Sequence, residues 1–227
     1  MVYIDEMGVH VDGVCHWIWV FTIRGEMLIV IRRSRGKRVL KEILGVDFKG
    51  VVVCDGWRSY PNFTSRIQRC WAHLLREAKY LAEHVEEAAP LSEALHRIHR
   101  HLGVPSVDRP PPGEVRRLVE EAKAEMLSWA GRPYESGEVR RFAAKVVNGV
   151  DHWFTFLSVP GVEPTNNRAE RALRELVVQR KISGGFRNGK GTMICETVMS
   201  ALATWGQKGR DLPQALGEAL SREWTKS

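Results

Sequence analysis

Two aspartates in the first quarter of the 227-residue chain lie where carboxylates could bind a metal ion. Asp5 follows a short apolar run at residues 2–4, and Asp55 follows a continuous apolar run at residues 51–54 that is typical of a buried strand. Carboxylates at the ends of neighbouring strands can converge, and their mutual repulsion favours a divalent cation with oxygen ligands, such as Mg²⁺ or Mn²⁺. Taken alone, each aspartate is better explained as a solvated or turn-capping residue.

A segment at residues 165–174 strengthens the metal interpretation. On a helix its polar residues at i, i+3, i+4 and i+7 share one face: Asn167, Glu170, Arg171 and Arg174. An adjacent apolar stripe is formed by Leu173, Leu176 and Val177. A carboxylate among amide and guanidinium groups suits a metal ligand beside phosphate contacts better than it suits a core. The alternative is an exposed glutamate paired with an arginine one turn later, which is common.

Basic residues are concentrated on both sides of the proposed acids. The chain carries a net charge of +7, and residues 32–41 include six cations and no acid. Exposed charge runs are usually solvated faces, but their position here favours contacts to backbone phosphates of a nucleic acid. These contacts are predicted for Arg32, Arg33, Arg35, Lys37, Arg168, Arg171, Arg174, Arg180, Lys181 and Arg187.

The elements that must position these residues indicate a mixed sheet with helices packed on it. Strands are predicted at residues 16–21 and 27–31, where aromatic and β-branched residues flank a glycine-containing turn. A short helix at residues 37–44, ended by Gly45, precedes the buried strand at residues 51–54.

Between residues 71 and 157 the apolar period becomes helical. Three helices and one loop are predicted there: helices at residues 74–81, 115–126 and 138–147, and a proline-rich loop at residues 105–113. We interpret residues 74–157 as a helical insertion within a single domain that spans residues 1–227. The histidine-rich run at residues 96–101 is predicted to be a polar helix face, because its interleaved arginines would repel a cation.

The last third of the chain is predicted to be helical on either side of a glycine-rich break. One helix is expected to begin near Thr165, with Asn166 or Asn167 as its N-cap. Glycines between residues 184 and 191 are expected to interrupt the helical segment, and a final helix is expected at residues 193–205.

Composition is that of a folded protein, with 44% hydrophobic and 27% charged residues. The four cysteines form no closely spaced pair, which fits a reducing, cytoplasmic compartment. No apolar stretch approaches the ~20 residues that span a bilayer, so no membrane association is expected.

Six motifs together resemble DDE transposases of bacteria and archaea, in particular the insertion sequence 66 family. They are DE at residues 5–6, CDGWRSYPNF at 54–63, QRCWAHLLRE at 68–77, TNNRAERALR at 165–174, RKISGGFRNGKG at 180–191 and SALATWGQKGR at 200–210. The motifs cover almost the whole chain in the family's order, and they are specific as a set.

The resemblance implies a ribonuclease H-like α/β fold, with the helical insertion between the second aspartate and the glutamate. It also implies that Asp5, Asp55 and Glu170 are catalytic and bind two divalent ions, Mg²⁺ or Mn²⁺. The implied activity is cleavage of DNA strands and their transfer to a target without a covalent enzyme–DNA intermediate. The implied partners are transposon ends, target DNA and further copies of the chain on that DNA.

Such transposases often contain a Cys-x-x-His motif after the second aspartate, here Cys70 and His73. Two residues are too few for a structural zinc site, and the spacing does not require Cys54 or His16 as partners. We therefore expect a structural role near the active site for Cys70 and His73, and likewise for Asn167.

Two departures from the family pattern leave alternatives open. Met7 stands where family members commonly have threonine, and only four residues precede Asp5, so an N-terminal DNA-binding region is expected to be absent. One alternative is a nuclease of the same fold that cuts DNA without joining it. The other is a degenerate remnant that binds DNA non-specifically without catalysis.

Overall fold

The computed structural model describes residues 1–103 and 111–224, with side chains described up to residue 221. The strands and helices are, in chain order, β1 (Val2–Val11), β2 (Val14–Ile23), β3 (Glu26–Arg32), α1 (Lys37–Leu44), β4 (Val52–Cys54), β5 (Ile67–Arg69), α2 (Trp71–His84), α3 (Ala89–Leu102), α4 (Pro112–Ala130), α5 (Gly137–Asn148), α6 (Thr155–Ser158), α7 (Asn167–Ser183), α8 (Gly189–Gln207) and α9 (Leu212–Trp224).

The chain divides into two compact units. The first, called the sheet unit, comprises Met1–Phe48 and the described residues from Asn167 onward, and the second, called the helical unit, comprises Lys49–Asn166. Strands pair antiparallel in the sheet unit and parallel in the helical unit. The chain is therefore a mixed α/β protein with flanking helices, as predicted.

Strands β1, β2 and β3 form an antiparallel sheet in the sheet unit. The β1–β2 hairpin turns at Asp12 and Gly13, whose φ angles of 50° and 71° give the backbone twist that a two-residue hairpin turn needs. The predicted strands at residues 16–21 and 27–31 are confirmed and are longer than expected. The prediction that Asp5 follows a strand is wrong, because β1 continues to Val11 through pairing with β2.

The core of the sheet unit lies between this sheet and two C-terminal helices. One hydrophobic cluster joins buried residues of all three strands with Leu173 and Leu176 of α7 and Cys195 of α8. On β1 the core residues are Met7, Val9 and Val11, which alternate along the strand and therefore share one face. Burial of this apolar surface holds α7 against β1.

Helix α8 lies along β3, which is an edge strand of the sheet unit's antiparallel sheet. Three of its side chains, spaced one helical turn apart, accept hydrogen bonds from alternate β3 amides at 2.7–3.0 Å: Glu196 from Ile31, Ser200 from Ile29 and Thr204 from Met27. These bonds satisfy edge amides that would otherwise be open to pairing with another strand.

The C-terminal helices differ from the prediction in two ways. Helix α8 begins at Gly189 rather than Met193, because the Asn188 side chain caps it by accepting the Gly191 amide at 3.0 Å. The glycines at 189–191 therefore form its first turn instead of interrupting it. The prediction that this helix is the last one is also wrong, since α9 follows at Leu212–Trp224.

In the helical unit, β4 and β5 pair in parallel, with Cys54 opposite Arg69. Strand β4 confirms the predicted buried strand, whereas β5 was not predicted, because its three residues contain a single apolar side chain. The buried amide of Gln68 donates to the Trp153 carbonyl at 3.1 Å and accepts the Phe156 amide at 2.8 Å. These bonds attach β5 to the segment around α6 and satisfy a polar group within the core.

Helices α2, α4 and α5 confirm the three helices predicted in this region. Most of the predicted proline-rich loop, namely residues 105–110, lies outside the described residues, and its last part is wrong because Pro112 starts α4. Proline is compatible with the first turn of a helix, where no amide hydrogen is needed. The histidine-rich run lies on α3, where the ring of His99 is 5.2 Å from that of Trp71, so His99 departs from the predicted polar face.

Among the residues described, no helix combines the length and apolar character needed to cross a bilayer.

Candidate functional site

Asp5 and Glu170 lie on two packed elements of the sheet unit. Asp5 is on the face of β1 that also carries Met7 and Val9, because side chains alternate along a strand. That face packs against α7 through Leu173, which lies one turn after Glu170. Both carboxylate residues are half-buried.

Two contacts define how α7 runs along β1. Near its start, the Arg168 guanidinium lies 5.2 Å from the centre of the Tyr3 ring. Near its end, Arg180 Nη1 donates to the Gly8 carbonyl at 2.7 Å. The helix and the strand therefore run in the same direction, and Glu170 in the first turn of α7 lies at the end of the pair where Asp5 lies.

The faces of α7 match the prediction closely. The helix begins at Asn167, two residues later than expected, and buries Leu173 and Leu176. Arg171 and Arg174 are exposed, and Glu170 lies at the border between the exposed face and the core. A half-buried carboxylate beside exposed guanidinium groups is consistent with a ligand site next to a phosphate-binding surface.

Asp55 is half-buried at the end of β4, as predicted. Its Oδ1 accepts the backbone amide of Trp57 at 2.7 Å, which is the hydrogen bond of an Asx turn. The turn orients the carboxylate at the point where the strand ends. Asp55 belongs to the helical unit, whereas Asp5 and Glu170 belong to the sheet unit.

Two cations near Asp55 were missed from the sequence. Arg69 on β5 is 7% exposed, and its Nη1 donates to the Lys145 carbonyl at 3.3 Å. Burial lowers the pKa of Arg69, and the nearby Cys54 and Asp55 partly offset that effect. Lys145 on α5 forms a 2.5 Å ion pair with Glu77 of α2. No local pattern could have linked Lys145 to Asp55, because Lys145 is ninety positions further along the chain.

Cys70 and His73 lie at the start of α2. Cys70 is buried, and its Sγ accepts the Asn166 amide at 3.2 Å. Cys70 Sγ and a ring nitrogen of His73 lie within 4.8 Å of each other. Two such groups remain fewer than a structural zinc site requires, and the structural role expected for Cys70 and His73 stays a prediction. Asn167 is exposed as the first residue of α7.

The predicted phosphate-binding residues fall into two groups in the structure. Three of them have partners within the sheet unit: Arg32 pairs with Glu42 and Glu196, Arg35 pairs with Glu6, and Arg180 donates to Gly8. The Arg168 guanidinium contacts the Tyr3 ring, although its residue is exposed. The others present exposed cations: Arg33, Lys37, Arg171, Arg174, Lys181 and Arg187. This exposed group is the stronger candidate for contacts to DNA.

Comparison with protein-family models decides the family of the chain. A model described as "Transposase IS66 family" matches residues 1–194. The chain belongs to the IS66 transposase family. The matched span includes Asp5, Asp55 and Glu170, and membership implies DNA as the partner and a role in processing it. Comparisons with curated proteins and with solved structures found no match.

Proposed function

We propose that this IS66-family chain cleaves DNA strands and transfers their ends to target DNA, with Asp5, Asp55 and Glu170 as ligands of divalent metal ions. The family match across residues 1–194 is the observation that carries the proposal. The arrangement of Asp5 and Glu170 at one end of the β1–α7 pair supports it. In this proposal Asp55 joins those two carboxylates in a single site.

The proposed fold is ribonuclease H-like, with an inserted set of helices. Three antiparallel strands are followed by α1 and then by the parallel pair β4 and β5. Helices α2 to α6 lie in the chain between Asp55 and Glu170. This order of elements, with acids on β1, after β4 and on a late helix, supports the proposed fold.

The donor groups fit Mg²⁺ or Mn²⁺. All three proposed ligands are carboxylates, which are hard oxygen donors, and all three are half-buried, so each is reachable from solvent. The chemistry that two bound divalent ions supply in such sites is activation of the attacking oxygen and stabilisation of the leaving oxygen.

The protein's own residues would hold and orient the DNA. Arg171 and Arg174 lie on the exposed face of α7 beside Glu170, where guanidinium groups can bind phosphate oxygens. The Asx turn at Asp55 keeps its carboxylate at the end of β4. These roles are proposed for positioning the phosphate, and none requires a covalent bond between protein and DNA.

The test compares two glutamates on α7, Glu170 and Glu175. Glu175 is exposed, and five residues along a helix separate the two side chains by about 140°. We expect Glu170→Gln to abolish strand cleavage with Mg²⁺ while thermal unfolding is unchanged, and Glu175→Gln to cleave like the natural chain. Equal losses in both variants would contradict the assignment of Glu170.

The products of the same assay distinguish the two alternative functions. Strands joined to a target support a transposase, whereas cleaved strands that are never joined indicate a nuclease. A natural chain that binds DNA but yields neither product indicates a remnant without catalysis.

A further inference from the structure

The cationic side chain of Lys145 approaches Gly56, the residue that follows Asp55. Gly56 has no side chain, and a Cβ built there would lie 3.2 Å from Cε and 4.0 Å from Nζ of Lys145. The Lys145 ammonium therefore lies over the backbone directly after the proposed metal ligand. Lys145 belongs to α5, in the set of helices that separates Asp55 from Glu170 along the chain.

We propose that Lys145 binds a backbone phosphate of DNA beside Asp55, and that the Lys145 ammonium is ion-paired with Glu77 when DNA is absent. The proposal rests on the proposed function, since it assigns a DNA contact to the same site. It gives the inserted helices a direct part in DNA binding.

The surroundings of Lys145 favour an anionic ligand. Arg69 places Nη1 3.9 Å from the same Cβ position at Gly56, so two cations approach one turn of the backbone. Arg69 donates to the Lys145 carbonyl at 3.3 Å and lies 5.5 Å from the centre of the Trp153 ring, and the nearby Asp55 carboxylate also acts on its charge. Two cationic side chains at one turn, of which Lys145 can be released from Glu77, provide charge that can attract a phosphate.

Accessibility separates the roles of the two cations. The Lys145 side chain is 34% exposed and its partner Glu77 is 41% exposed, so a phosphate can reach the ammonium and replace the carboxylate. Exposed ion pairs of this kind contribute little to stability, so replacing the Glu77 carboxylate by a phosphate costs little free energy. Arg69 is buried and acts as a positioning residue, because its hydrogen bond to the Lys145 carbonyl anchors the end of α5 beside β5.

The first experiment measures duplex DNA binding by the full chain at several salt concentrations, without Mg²⁺ so that no strand is cut. Replacing one phosphate-binding lysine should reduce the log–log salt slope by about 0.9. We expect Lys145→Gln to show that reduction and Lys145→Arg to retain the natural slope. The matched control is Lys123→Gln, because Lys123 is also a partly exposed lysine of the helical unit that forms an ion pair, with Asp151 at 2.9 Å. It should leave the slope unchanged.

The second experiment uses the proposed competition between Glu77 and phosphate. Glu77→Gln should tighten DNA binding more than Glu83→Gln does, although both remove one carboxylate from α2 that pairs with a lysine. The additional gain should disappear when Lys145→Gln is also present, because the two residues then no longer interact.

The outcomes separate this proposal from the proposed function. A chain that shows these binding effects but never cuts DNA overturns the proposed function and supports the role of Lys145. Equal slopes for Lys145→Gln and Lys123→Gln overturn the role of Lys145, as does a Glu77→Gln gain that persists with Lys145→Gln. A natural chain with no measurable affinity for DNA overturns both.

Discussion

The two units place their proposed ligands by different means. In the sheet unit, Asp5 lies within a ten-residue strand and Glu170 lies on a 17-residue helix, and regular packing of these long elements sets their positions. In the helical unit, Asp55 follows a three-residue strand, and its neighbours Arg69 and Lys145 come from β5 and α5. A ligand on long periodic elements is positioned by local pattern, whereas the surroundings of Asp55 depend on contacts between distant segments.

The largest effect on stability is expected from a substitution in the helical unit that disturbs the contact anchoring α5. Gly149 is buried, and a Cβ there would lie 2.3 Å from Arg69 Nη1 and 3.1 Å from Trp153 Nε1. Because Arg69 is enclosed, Gly149→Ala should destabilise the helical unit by about 1–3 kcal/mol, the usual cost of overpacking. Urea unfolding combined with hydrogen exchange would locate the loss.

The control for this substitution lies at the other end of α5. At Gly137 an added Cβ meets Arg141 at an ordinary 3.4 Å, so Gly137→Ala should change stability little. Loss of protection in β4, β5 and α5 alone, with β1 unaffected, would sharpen the contrast between the units. If Gly149→Ala left the midpoint of urea unfolding unchanged, that result would contradict the proposed anchoring of α5 by Arg69.

A smaller loss of stability is expected when the pH is lowered, and it too is expected in the helical unit. Burial lowers the pKa of His99, with a further contribution from His96, and burial together with Arg69 lowers the pKa of His152. The folded unit then binds fewer protons than the unfolded chain, so its stability falls as the pH decreases through about 6.5, the ordinary value for histidine.

Amide exchange of α2 to α5 between about pH 7 and pH 5 measures this effect. Replacing His99 and His152 by glutamine should flatten the pH dependence, whereas His101→Gln, at an exposed position, should not. Protection that stays constant over this range in the natural chain would show that the two half-buried imidazoles do not couple folding to protonation.

The sequence predicts the long periodic elements well, and it predicts the contacts between distant segments poorly. Helix α1 matches its prediction at both ends because Gly45 stops an amphipathic turn, and Glu170 lies on the predicted face of α7. The three-residue strand β5 is too short for periodicity to reveal it. The cations beside Asp55 could not be predicted, since their proximity arises from packing between β5 and α5.

The metal site is the central claim, because it requires a carboxylate from the helical unit as well as those from the sheet unit. Its most direct test is thermal unfolding of the full chain with increasing Mg²⁺ or Mn²⁺. A ligand that binds the folded state alone stabilises it by RT ln(1 + [L]/Kd), about 2.7 kcal/mol at one hundred times Kd.

The natural chain and Asp47→Asn, a control at an exposed aspartate, should show a rise in Tm with metal. Asp5→Asn and Asp55→Asn should each abolish the rise. A rise that persists in Asp55→Asn, or in the double variant, would contradict the shared site and place metal binding elsewhere.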